Sequence, residues 1–204
     1  RPPQAFDSEL APLEAAIRER LRGEPGEYGI AVIDVETGRS LGVNDRLVVH
    51  AASTMKVPVL LELYRLAAAG ALRLDDAVPV RNHFRSIADS THFYALSPDD
   101  DSEHALYGMV GGTATFRDLA RRMTVRSSNL ATNILIDTLV GTRVQHTVQR
   151  VGGEGMRVLR GVEDGPAFRA GMNNTTTARG LANVLASIAR CELLPRAESA
   201  EVLD

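Results

Sequence analysis

The chain has 204 residues, 44% of them hydrophobic, enough to bury the core of one domain, or of one domain with an inserted lobe. A formal charge of −3, with acids and arginines interspersed, leaves no basic stripe and argues against a nucleic-acid partner. No apolar run approaches the length of a membrane span, and the lone Cys191 excludes an internal disulfide.

The first residues, Arg1-Pro2-Pro3-Gln4, carry neither Met nor a signal-peptide pattern and read as a processed or trimmed end. Residues 8–21 place apolar side chains at 10, 13, 17 and 21, a helical stripe with Glu9, Glu14, Arg18 and Arg20 outside it. Residues 28–35 are mostly branched and predict a strand; 36–38 is a turn, and 39–43 returns as the second strand of a hairpin.

Residues 50–70 follow. Leu60, Leu63, Tyr64 and Ala67 recur at helical spacing, and Gly70 is a stop signal. Ser53 sits at the start of this helix with Lys56 three residues on, so the hydroxyl and the amine share a face. Of the twenty-three Lys and Arg residues only Lys56 is lysine. A composition that uses arginine for positive charge has kept one amine able to give up its proton, and has placed it beside a serine. That is what a nucleophile with a nearby base requires; the bland alternative is a solvated charge beside a capping serine.

From 79 to 112 regular structure is hard to discern. His83, His92 and His104 lie here with Asp99, Asp100, Asp101 and Glu103. Their spacing fits no compact ligand motif, so no metal is expected and the acids read as a solvated loop. Thr115 with Asp118 predicts a helix cap and a helix to about 123. Residues 130–140 form an apolar helix ended by Gly141, 142–151 another stopped by Gly152 and Gly153, and 161–174 a long glycine-bearing loop. A last helix spans 177–190 with Leu181, Val184, Leu185 and Ile188 on its inner face, and 197–204 begins a further turn.

Two further clusters carry polar groups. Ser127-Ser128-Asn129 precedes the apolar helix, a capping pattern by itself. Asn133 shares a face with Asn129, and two amides on one face of a buried helix need partners. Arg160 to Asp164 and Asn173 to Ala178 bracket the loop, where Glu163 is either a base for water or an ordinary exposed acid.

Ser53-Thr54-Met55-Lys56, then Ser127-Ser128-Asn129 opening a helix, then a long loop closing on Thr175-Thr176-Thr177-Ala178, in that order from about 28 to 190, resembles the class A β-lactamases and related penicillin-recognising serine hydrolases. The resemblance implies an α/β fold, with a mainly helical lobe at about 44–185 beside an antiparallel sheet lobe that begins with the 28–43 hairpin. It implies Ser53 as nucleophile, with its backbone N–H as half of the oxyanion hole, and Lys56 as the group that helps take its proton. Ser127 would pass a proton to the departing nitrogen, Asn129 would hold the substrate's side-chain amide, Asn133 would steady the loop, and Glu163 would activate the deacylating water. The ligand expected is a small-molecule β-lactam or a cell-wall peptide, with no cofactor and an exported location, periplasmic or secreted.

Three departures stand out. The middle residue of the second motif is usually Asp and here is Ser128. Aligning Arg160 with the family's loop leaves Glu163 one place late. The family's third motif, a Lys-Thr-Gly or close variant on a later strand, has no counterpart, since no lysine follows Lys56. The expectation is a partial chain whose sheet is completed by further polypeptide, a complementary chain or a second copy, so that these residues alone make no stable, active hydrolase. D-Ala-D-Ala peptidase action and a non-catalytic binding module on the same fold are the alternatives to β-lactam hydrolysis.

Overall fold

A computed structural model describes residues 10–139 and 141–203, with the backbone alone for Thr142. Helix α1 (Ala11–Leu21) is followed by the hairpin β1 (Ile30–Ile33) and β2 (Ser40–Val43), antiparallel with Ile30 opposite Val43. The Asp34 carboxylate shapes the turn between them by accepting the amides of Glu36 and Thr37. The apolar stripe expected on the first helix is only partly covered: α1 packs on β2 with Leu10, Ile17 and Leu21 half-buried, no residue of α1 is fully buried, and Leu13 stays exposed. Positions 8 and 9 of that expected helix lie outside the described residues, as do Val140 and Asp204.

A short strand β3 (Val49–His50) and a 3-10 turn (Ala52–Met55) lead into α2 (Lys56–Ala68). Ser53 is therefore in the 3-10 turn just before the α-helix, and Lys56 is the first residue of the α-helix itself. The consequence for contact is favourable, because residues three apart eclipse in a 3-10 turn. Pro58 falls in the first turn of α2, where its missing N–H costs little. Gly70 ends the element in a left-handed conformation (φ 70°) that glycine adopts without strain.

Helix α2 is buried on nearly every side, as an almost wholly apolar helix must be. Against it pack α3 (Phe116–Val125), α4 (Asn129–Leu139), α5 (Gly141–Arg150), α7 (Ala178–Ala189) and α8 (Arg196–Leu203). Val59, Leu61, Leu63, Leu119, Met123, Leu130, Ile134, Leu135, Val144, Val148 and Val184 are the centre of one continuous core. Its one buried acid on α2, Glu62, is matched by Arg65 and by the Thr147 hydroxyl at 2.5 Å. Thr115 caps α3 by accepting the Asp118 amide, and Thr177 caps α7 through Gly180 N. On α7 Val184 and Ile188 are buried while Leu185 faces out, against the expectation for that helix.

The difficult stretch resolves into short pairs. β4 (Ala77–Pro79) pairs with β7 (Thr113–Thr115), and β5 (Phe84–Arg85) pairs with β6 (Phe93–Tyr94). Asp101 and Glu103 are buried, not solvated. The reason is that each carboxylate accepts backbone amides, which repays its loss of water. The loop at 161–174 contains a short helix α6 (Gly165–Arg169). After it, β8 (Thr175–Thr176) pairs with β3, Val49 opposite Thr176, which ties the far end of the loop to the segment that delivers Ser53.

Candidate active site

The approach to Ser53 is built from backbone. Ala51 N donates to Asn174 O at 3.0 Å, continuing the β3–β8 ladder by one residue. Ala52 then takes φ 44°, a left-handed value uncomfortable for a residue with a Cβ, and its amide donates to His50 Nδ1. The chain thus turns sharply and leaves Ser53 exposed at the mouth of α2.

Lys56 is buried, 4% exposed, directly beneath. Its Nζ lies 3.3 Å from Ser53 Oγ, 2.9 Å from Ser127 Oγ, 2.7 Å from Ser127 O and 3.1 Å from Asn129 Oδ1. The two hydroxyls, Ser53 and Ser127, are 3.0 Å apart. Burial lowers the Lys56 pKa, and the negative charge of Asp101 opposes that fall. Two of the four contacts, the Ser127 carbonyl and Asn129 Oδ1, only accept hydrogen bonds. In the neutral amine they take its two N–H groups, and the lone pair is left toward the hydroxyls.

The second cluster reaches Lys56 because Ser127 has φ 55°. That left-handed residue ends the turn after α3 and puts both its carbonyl and its hydroxyl on the amine. Ser128, fully buried, faces the other way and caps α4 by accepting Ala131 N at 3.2 Å. Asn129 opens α4 with its side chain toward Lys56, and Asn133, one turn on, meets the loop. Both amides on this buried face therefore have the partners their burial demands.

Asn133 grips one loop residue by both its backbone groups: Val162 N donates to Asn133 Oδ1 at 2.6 Å, and Asn133 Nδ2 donates to Val162 O at 2.9 Å. Gly161 has to be glycine here, because a Cβ would stand 2.5 Å from the Tyr94 hydroxyl and 2.8 Å from Asn133 Oδ1. Asn174 fastens the loop's base, accepting Leu159 N and Arg160 N and donating to Arg160 O. Asp164, fully buried, accepts Ser86 Oγ at 2.7 Å, Ile87 N and Ala167 N. All of its bonding capacity serves structure.

Glu163 stands between these anchors with φ 63° and makes no hydrogen bond among the described residues. Partial burial, then Asp100 and Asp101, raise its pKa above the ordinary glutamate value. It lines a cavity of about 540 Å³ together with Ser53, Lys56, Asn129, Arg160 and Phe168. The structure thus brings Ser53, Lys56, Ser127 and Asn129 into mutual contact. Glu163 faces the same cavity without contacting them, and Asn133 acts on the loop behind it. Of the five non-glycine residues with positive φ among those described, Ala52, Ser127 and Glu163 are in or beside this site. Sequence reasoning missed Asp101 and Asn174. A turn-forming Ser97-Pro98 upstream of Asp101 gave no sign that its carboxylate would meet another helix; Asn174, next to the threonine run, offered at least a polar residue at a loop end.

The fold has counterparts among solved structures. The structure of PBP-A superposes with a TM-score of 0.75 at 23% identity, over 94% of this chain and 66% of that one. A single-substitution mutant of PBP-A, an acyl-enzyme complex with penicillin G, gives a TM-score of 0.72 at 23% identity over the same 94% and 66%. A mutant of the class A β-lactamase of the last common ancestor of Gram-negative bacteria gives 0.74 at 21% identity, over 94% and 68%. The chain thus spans about two thirds of the length of these proteins. No curated protein matches it in sequence. The model of the β-lactamase enzyme family matches residues 12–204, and with the fold and the Ser53–Lys56–Ser127–Asn129 cluster in place the chain belongs to that family.

Proposed function

We propose that Ser53 is the nucleophile of a β-lactam-opening serine hydrolase. The observation that carries this reading is the set of four contacts around the buried Lys56 amine, all within 3.3 Å. Neutral Lys56 takes the Ser53 proton as Oγ attacks the β-lactam carbonyl carbon. The carbonyl C–N bond breaks, and the departing nitrogen takes the proton of Ser127 Oγ. Lys56 returns the proton it holds to Ser127, 2.9 Å away, so the site ends as it began, with the acyl group on Ser53. Asn129 holds the ligand's side-chain amide, and the Ser53 N–H donates to the developing oxyanion. Glu163 then activates water to release the acid. The site of action is the periplasm or the exterior, where the family's ligands are met; among the described residues no helix is long and apolar enough to cross a membrane.

One observation favours a second reading, a penicillin-binding protein with D-Ala-D-Ala peptidase chemistry. The loop residue that Asn133 clamps is the apolar Val162, and Glu163 follows it unanchored. A carboxylate one place past the clamp is poorly held against water, so acylation outlives the encounter.

Both readings are tested on the product of the full reading frame with a chromogenic cephalosporin and with mass spectrometry after penicillin treatment. Steady colour release supports hydrolysis. A lasting adduct on Ser53 without turnover supports the peptidase reading. Neither colour nor adduct overturns both and leaves a binding module.

A further inference from the structure

The residue that shapes this site from outside it is Asp101. Its carboxylate is buried, 5% exposed, in the segment between the 3-10 turns Pro98–Asp100 and Ala105–Met109. Both oxygens accept Asn129 N at 3.0 Å, and Oδ2 accepts Leu130 N at 2.9 Å. The Tyr107 hydroxyl donates to Oδ2 at 3.0 Å, and Glu103 N donates to Oδ1 at 3.2 Å. The first two amides of α4, which have no partner inside the helix, are therefore both held by one carboxylate from another part of the chain. A negative charge there also meets the positive end of the helix dipole.

We propose that Asp101 is the positioning residue of the acylation site: by gripping the amides of Asn129 and Leu130 it fixes where α4 begins, and so sets Ser127 and Asn129 around Lys56. The proposal rests on the acyl-transfer reading and adds a residue to it. Ser128, the neighbour best placed to hold this helix end, reaches only Ala131 N and brings no charge. Asp101 supplies both the remaining bonds and the carboxylate. Ser127, two positions before Asn129, bears the strained φ of 55°, and such strain persists only where its neighbours are pinned. Asp101 also keeps Lys56 more basic than burial alone would leave it. The other charged or titratable groups around the amine's cavity are His50, Arg160, Glu163 and Asp164, with Asp100 beyond Glu163. Of all these, Asp101 is the charge that contributes most to holding the Lys56 pKa up.

The test uses two measurements that do not depend on catalysis. In the unmodified chain, the amides of Asn129 and Leu130 exchange with deuterium as slowly as that of Ile134 inside α4; exchange at the rate of a frayed helix end would overturn the positioning role. On the same product of the full reading frame, 13C-lysine labelling gives a Cε signal for Lys56 that Lys56→Arg identifies by its loss. Asp101→Asn keeps the side chain's volume and removes its charge, and the Lys56 titration midpoint moves to lower pH. An unmoved or raised midpoint in folded Asp101→Asn would refute the proposal. Penicillin acylation, followed in parallel over pH, separates the two claims. If the exchange and titration results hold and no adduct forms, the acyl-transfer reading fails while Asp101 keeps its structural role. If acylation proceeds in Asp101→Asn with the unmodified pH profile and rate, the positioning claim fails alone.

Discussion

The amine of Lys56 lies closer to the Ser127 carbonyl, at 2.7 Å, than to the Ser53 hydroxyl, at 3.3 Å. The amine is thus held by a backbone acceptor while its reach toward the Ser53 hydroxyl, the proposed nucleophile, stays loose, as hydrogen bonds of unliganded active sites often are. Lys56→Arg keeps a positive charge and forfeits the neutral amine. The rate of adduct formation on Ser53, read by mass spectrometry, is expected to fall by about 10²–10⁴-fold.

On the proposed mechanism, acylation depends on pH through the same atom. In that mechanism the amine works unprotonated, and burial has moved its pKa below that of ordinary lysine. Acylation therefore falls as pH drops through the Lys56 value in the folded protein, not through the usual lysine range. Folding obeys the same sign. The unfolded chain binds this proton more tightly, so stability rises with pH between the folded and unfolded values and is lost again as pH falls through that window. Denaturant melts at several pH values check the second statement, and single-turnover acylation checks the first.

Ser127 combines chemistry with strain, and two substitutions separate them. Both Ser127→Ala and Ser127→Gly delete the hydroxyl that bridges Lys56 and Ser53, so on the proposed mechanism both are expected to lose acylation. Glycine accepts φ 55° freely, whereas alanine retains a Cβ in the left-handed region. Urea unfolding should find the glycine variant more stable than the alanine variant by roughly 1 kcal/mol.

The two functional readings predict opposite outcomes at adjacent positions. If Glu163 activates water, Glu163→Gln slows loss of the acyl group by about 10²-fold. If the clamped position is the one that counts, Glu163→Gln changes the adduct's lifetime little, and Val162→Glu shortens it by a similar factor. Decay of the penicillin adduct in the two variants decides between them.

Asn133→Ala removes both bonds to Val162 and strands a backbone amide and carbonyl beside the core. A loss of about 2 kcal/mol in unfolding free energy is expected. Limited proteolysis should then cut within 161–174 faster than in the unmodified protein.

Much of the helical framework was legible because its signals are local. The Thr115 cap, the Gly70 and Gly152 stops and the apolar faces of residues 56–68 and 130–139 each depend on neighbours within a turn or two. The Ser53–Lys56 pair was legible for the same reason, and the single lysine singled it out. Three things were not. Asp101 looked like one acid in a polar run, and only the approach of α4, 28 residues later, gives it a role. The pairs β4–β7 and β3–β8 join segments too distant in the chain and too short to leave an alternating pattern. The first helix carries an apolar stripe, yet β2 covers it only in part, leaving Ile17 and Leu21 half-buried and Leu13 exposed, since periodicity tells which side is greasy and not how fully a neighbour arrives.

The loop at 161–174 is pinned at Val162 by Asn133, at Asp164 by Ser86 and Ile87, and at its base by Asn174. Between the second and third pins, Phe168, Arg169, Ala170, Gly171 and Met172 lie exposed, and Phe168 lines the cavity. Residues inserted after Met172 leave the fastenings at Val162, Asp164 and Asn174 in place, because surface loop length costs little free energy. Variation there would widen or narrow the mouth of the cavity while the chemical groups stay put, so this tip is where an engineer, or natural selection, has room to retune which molecules are admitted.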